Sequence, residues 1–114
     1  AEQYLIRAEA RARRGNLSKA IEDLDVIRER AGLELIAEIN PEITQEEFLD
    51  QIIEQRRKEL FTEWGHRWFD LKRTGRADEI LGEDNPFWET TDVLYPIPSE
   101  ERMKNPNLGQ NNGY

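Results

Sequence analysis

Between residues 3 and 31, apolar side chains recur at helical spacing on both sides of a single two-residue break, Gly15-Asn16. Tyr4, Leu5, Ala8 and Ala12 precede it; Leu17, Ala20, Ile21, Leu24, Ile27 and Ala31 follow. Two amphipathic helices joined by so short a turn must pack antiparallel. The alanines permit close approach. Glycine suits the left-handed residue that ends a helix, and Gly32 stands just past the second one. The pattern therefore predicts an αα-hairpin, and a chain of 114 residues is expected to form one helical domain, 1–114, around a modest core.

Downstream, residues 33–43 read as a loop in which Leu35, Ile36 and Ile39 pack locally. Thr44 and Glu47 form a T-x-x-E capping box, with Ile43 and Phe48 at hydrophobic-staple spacing, so a third helix starts at Thr44. Leu49, Ile52, Ile53, Leu60, Phe61 and Trp64 continue its expected buried stripe up to Gly65. A further helical segment at 66–73 carries Trp68, Phe69 and Leu71 and stops at Thr74-Gly75. Residues 76–94 read as loop. Val93 to Pro98 reads as extended, because each proline disfavours helix in the residue before it. Ser99 is expected to cap a short helix through Lys104, followed by polar coil over 105–114. The fold class is all-α: a helical hairpin plus further helices, a short extended segment and a polar C-terminal coil.

Residues 54–76 are the densest part of the chain, holding four large aromatics, the one histidine and eleven charged side chains. Net charge is −5 over residues 1–53, +3 over 54–76 and −6 over 77–114. A basic island flanked by acidic segments finds its simplest partner in its own chain. The overall charge of −8 argues against duplex nucleic acid or an anionic membrane surface as the main partner. Without cysteine and with one histidine, neither a disulfide framework nor a thiolate or multi-histidine zinc site can be built. No cofactor or metal is expected. No apolar run approaches the roughly 20 residues of a membrane span. The chain starts without Met, already in helical pattern, and is read as a piece of a longer protein.

Glu59, Glu63 and Asp70 could serve as the acid and base of a glycosidase, which sets two carboxyls about a substrate. Each has a cation at helical reach, however: Arg56 for Glu59, Arg67 for Glu63, and Arg67 and Arg73 for Asp70. Paired carboxylates keep low pKa values, whereas a catalytic acid needs a raised one. Arg56 lies on the apolar stripe, where a charge is tolerated only if paired. A structural network is the preferred reading. Trp64 and Trp68, four apart, would stack along one face of a continuous helix and could hold a sugar ring, but a stripe flanked by Leu60 and Leu71 is more often core. Gly65 allows close backbone approach or a break in the helix. His66 is read as a hydrogen-bonded structural residue.

Three separated motifs resemble one family. R-R-K-E-L-F-x-E-x-G-H-R-W-F-D-L-K-R-T-G at 56–75, Y-P-I-P at 95–98 and N-P-N-L-x-Q-N-x-G-Y at 105–114 are similar to the C-terminal region of SusD/RagB proteins. The stretch RRGNLSKAIEDL at 13–24 resembles the turn of a tetratricopeptide unit, although no second copy follows one period later. The resemblance implies a mostly α-helical, tetratricopeptide-like, non-catalytic nutrient-binding lipoprotein of the outer membrane in Bacteroidetes. Such proteins capture glycans or peptides and pass them to a TonB-dependent, SusC-like transporter. It also implies that the lipid anchor and the ligand-contacting aromatics lie outside this chain. Arg56, Glu59, Glu63, Gly65, Arg67, Trp68, Asp70 and Arg73 then look like the family's structural signature. Gly109 and Asn112 depart from its pattern and suggest a less ordered tail. Phe87 and Trp88, in the loop 76–94, are the aromatics considered for a ligand surface, with Trp88 preferred as a loop residue folded onto the core. The rival readings are a free-standing helical adaptor that binds a protein or peptide in its hairpin groove, and a glycosidase.

Overall fold

A computed structural model describes residues 1–114 apart from the side chain of Asp84. Among the described residues the regular structure is helical. The elements are α1 (Glu2–Arg13), α2 (Leu17–Arg30), α3 (Ile36–Ile39), α4 (Gln45–Glu59), α5 (His66–Arg73), α6 (Ala77–Asp84), a 3-10 helix (Thr90–Leu94) and α7 (Ser99–Lys104). The backbone forms two compact units, residues 1–67 and 68–114.

The first unit is built on the hairpin. Gly15 takes φ +78°, which lets the Asn16 N–H reach back to the Arg11 carbonyl at 2.9 Å. The Asn16 side chain then accepts from the Lys19 N–H at 3.4 Å. One residue closes α1 and the next opens α2. A Cβ at Gly15 would meet no atom within 4 Å, so substitution there costs backbone strain alone. Gly15→Ala is expected to destabilise the chain by about 1 kcal/mol, read as a lower urea midpoint with an unchanged slope.

Leu5, Ala8 and Ala12 of α1 meet Ala20, Leu24 and Ile27 of α2, together with Ile36, Ile43, Phe48 and Ile52, in one apolar cluster. Tyr4 and Ala31, expected on the inner faces, are exposed instead; the Arg7 guanidinium lies 5.2 Å from the Tyr4 ring centre. Charge also crosses the hairpin. Asp23, 3% exposed, accepts from Arg7 Nε at 3.0 Å and Nη2 at 2.6 Å, and from Arg11 Nη1 at 2.6 Å. Arg7 and Arg11 are one helical turn apart on α1, so a single carboxylate on α2 fastens that face.

Residues 33–43 are not simply loop. They contain α3, whose first turn is held by the buried Asp25: its carboxylate accepts from the Ile36 N–H at 2.7 Å and the Ala37 N–H at 3.1 Å. Ile36 is buried, whereas Ile39 is exposed. A four-residue helix has no periodicity to read; what makes it is an acid eleven residues upstream.

The capping box at α4 forms as its spacing predicts. The Thr44 N–H donates to Glu47 at 2.9 Å and the Glu47 N–H to the Thr44 hydroxyl at 3.3 Å. Hydrogen bonds from the Thr44 backbone and hydroxyl hold the Glu47 carboxyl below the usual carboxylate range. Ile43 and Phe48 both enter the core cluster, as staple spacing predicts. The Gln45 side chain donates to the Ala12 carbonyl at 2.6 Å, fixing the start of α4 to the end of α1.

The expected stripe fails past Leu60. α4 ends at Glu59 with Leu60 as its C-cap, and Thr62, Trp64 and Gly65 take φ of 64°, 44° and 72°. Helical phase is lost there, so Phe61 and Trp64 turn outward, 74% and 89% exposed. The helix is already broken at Leu60, ahead of Gly65, which is the last residue of the turn; α5 then occupies 66–73 as read.

In the second unit, residues 76–94 hold α6 and the 3-10 helix rather than a loop, and Val93 and Leu94 lie in the latter instead of in extended backbone. The Tyr95 backbone is left-handed, with φ 58°. Ser99 is the first residue of α7 and not its cap; the Pro98 carbonyl accepts from the Glu101 and Arg102 N–H groups. The tail is tied down. Gln110 accepts from the Ile97 N–H at 2.8 Å and donates to the Ile97 carbonyl at 3.1 Å. Asn111 donates to the Tyr95 carbonyl at 2.7 Å.

Candidate functional site

The dense segment 54–76 spans the end of α4, the strained turn and α5. In the first unit, Arg56 is buried, 6% exposed, and engaged rather than free. Glu59 pairs with Arg30 of α2, a partner outside the segment that helical spacing could not supply. Glu63 is exposed. It lines a groove of about 470 Å³ with Arg57, Leu60, Phe61, Thr62, His66 and Arg67. His66 is mostly covered, its Nε2 3.7 Å from a Glu2 carboxylate oxygen.

In the second unit, Asp70 is 4% exposed and accepts from Arg73 Nε at 2.8 Å, with Nη2 at 2.7 Å. Both nitrogens converge on one oxygen, Oδ1, in a charge-assisted contact on an enclosed acid. The expected one-face stack of Trp64 on Trp68 has no continuous helix to carry it. Trp68 instead meets Trp88 edge-on at 6.3 Å and Tyr95 at 5.3 Å between ring centroids, with Lys72 Nζ 5.3 Å from its ring centre. Trp88 is half-buried, and its indole N–H donates to Asp78 at 2.8 Å. It thus packs on Trp68 and Asp78 within the second unit. Phe87 beside it is 87% exposed.

As chemistry, this arrangement offers little for catalysis by the named acids. Asp70 is enclosed and held by a guanidinium, and Glu63 is the one acid among the described residues lining its groove. Among the described residues no group of three His, Cys, Asp or Glu is placed to hold a metal ion. No helix among the described residues is long and apolar enough to cross a membrane. The two acids separate in their expected response to amide substitution. Glu63→Gln, at an exposed site, should shift stability by no more than about 0.5 kcal/mol. Asp70→Asn weakens an enclosed charge-assisted contact and should cost about 1–3 kcal/mol. Urea titration of the two variants side by side checks the contrast.

The fold defines a class first: an all-α scaffold opening on a tetratricopeptide-like helical hairpin. Comparison with known proteins then gives the family. The SusD family profile matches residues 1–114, and the chain belongs to that family. It is similar to SusD-like protein P38 of Formosa agariphila, 34% identical over 119 residues, and covers 100% of this chain but 23% of that protein. It is likewise similar to SusD-like protein P2 of the same organism, 36% identical, covering 25% of that protein. Among solved structures, BT4246 matches 99% of this chain with a TM-score of 0.74 and 31% identity, over 23% of its own length. The chain thus spans about a quarter of the relatives it matches.

Proposed function

We propose that this chain is the helical C-terminal part of a SusD-like nutrient-binding lipoprotein. The parent protein sits at the outer-membrane surface through a lipid anchor outside these residues. It captures oligosaccharide, or peptide, and delivers it to a TonB-dependent, SusC-like transporter without chemical conversion. The observation that carries this reading is the family match over the whole chain together with the matching helical arrangement.

Within that function the chain serves mainly as scaffold. The Asp70–Arg73 ion pair, the Arg30–Glu59 pair and the burial of Arg56 support a structural role for Arg56, Glu59, Asp70 and Arg73. The ring contacts of Trp68 and the engagement of Arg67 do so for those two, whereas Glu63 is exposed and stands outside the buried network. Trp88 is taken up by Trp68 and Asp78, which leaves Phe87 as the better placed of the two aromatics to meet a ligand.

The test is binding and turnover measured on the full-length protein. Oligosaccharide or peptide should bind by titration calorimetry with no release of reducing ends, and Phe87→Ala should change affinity by less than tenfold. Catalytic hydrolysis, or no affinity for any glycan or peptide, would overturn the reading.

A further inference from the structure

We propose that the Phe61–Trp64 turn is an anchor by which this segment docks onto the remainder of a SusD-length polypeptide, the Trp64 indole entering an apolar slot there. This rests on the chain being part of a longer SusD-like protein.

Three observations converge on the turn. Phe61 and Trp64 are the two most open large aromatics of the first unit, 74% and 89% exposed, where large apolar side chains together signal an interaction surface. Tyr4, the other open aromatic of the unit, is 40% exposed and lies beside the Arg7 guanidinium. Next, Thr62 and Trp64 hold φ of 64° and 44°. A β-branched and a bulky residue in left-handed backbone is a costly conformation that persists only when surrounding contacts determine it. The hydrogen bonds inside the turn, Glu63 N–H to Leu60 at 3.1 Å and His66 N–H to Glu63 at 3.0 Å, shape it but leave both aromatic rings uncovered. Lastly, the relatives are about four times longer than this chain, so three quarters of a SusD-length polypeptide is on hand to supply those contacts.

Charge favours this occupant over a second copy of the chain. Arg57 and Arg67 line the groove beside Phe61, with Glu63 as the acid facing them, and Lys58 follows Arg57, so cations outnumber carboxylates there. Arg57 and Lys58 share the one carboxylate of Glu54, at 3.6 and 3.3 Å. A twofold contact through this patch would set those cations against their own copies. One turn also offers far less than the roughly 1,200 Å² a stable dimer buries. The complementary surface is therefore an apolar slot rimmed by carboxylates, within the same polypeptide.

Hydrogen exchange on the unmodified proteins tests this directly, comparing the full-length protein with the 114-residue chain. The amides of residues 62–66 should exchange at least about 100-fold more slowly in the full-length protein. The chain holds no cysteine, so Phe61→Cys and Trp64→Cys can be labelled with a thiol reagent in both lengths, the full-length form lacking its anchor cysteine. Both thiols should be protected in the full-length monomer and open in the short chain. Equal rates in the two lengths overturn the proposal. Protection that grows with short-chain concentration points to a second copy instead, and protection that needs added oligosaccharide points to a ligand site; either result overturns it. Neither readout depends on glycan affinity, so failure here is distinct from failure of the nutrient-binding reading.

Discussion

Phe48→Ala is expected to lower the stability of the first unit by about 3–5 kcal/mol, a loss typical of an enclosed aromatic removed from a core that cannot close around the gap. Phe48 has no exposed surface and lies in the first turns of α4. Collapse is obstructed there because α4 is pinned at its start, by the Thr44–Glu47 box and by the Gln45 bond to Ala12. The cluster's larger side chains, such as Leu5, Leu24 and Ile52, are themselves fully buried, and its alanines have no length to swing inward. Phe48→Leu, which keeps most of the volume, should cost markedly less. The pair of variants in urea or thermal unfolding decides the matter. A loss near 1 kcal/mol for Phe48→Ala would mean that α4 adds little to this core.

Asp23→Ala should cost about 2–3 kcal/mol. Breaking an enclosed ion pair usually costs about 3–5 kcal/mol, but the stranded arginines can return to water here. The Arg7 and Arg11 side chains are 54% and 30% exposed, against 4% for Asp23, which places the loss near the lower end. A double-mutant cycle of Asp23→Ala with Arg11→Met should give a coupling above about 0.5 kcal/mol. Additive losses would show that Asp23 acts through packing and not through its guanidinium partners.

What the sequence made legible and what it hid divide along one physical line. Signals that act within a few residues were readable: the Gly15-Asn16 break, the Thr44–Glu47 box, the bounds of α5 and the stop at Gly75. Each is a backbone group satisfied by a neighbour three or four positions away. Contacts that span the fold were not. Asp23 meets arginines sixteen and twelve residues distant, Asp25 caps α3 from eleven residues away, and Glu59 is met by Arg30. Arg7 and Arg11, one turn apart and opposite a partner helix bearing several acids, were the available signal for Asp23. The outward turn of Phe61 and Trp64 was hidden for another reason. Carrying helical phase past Leu60 assumed ordinary backbone at Thr62 and Trp64, and neither residue type announces positive φ. α6 escaped because its flanking glycines, prolines and asparagines outweighed the short apolar pattern of Ala77, Ile80 and Leu81.

The tail's hold on residues 95–98 bears on how this protein stays dispersed. Pro96 and Pro98 carry no N–H, and Gln110 occupies both backbone groups of Ile97. A β-strand from a neighbouring molecule would therefore find no open ladder along this stretch. Two amide side chains of the tail, Gln110 and Asn111, thus close this stretch to pairing with another chain.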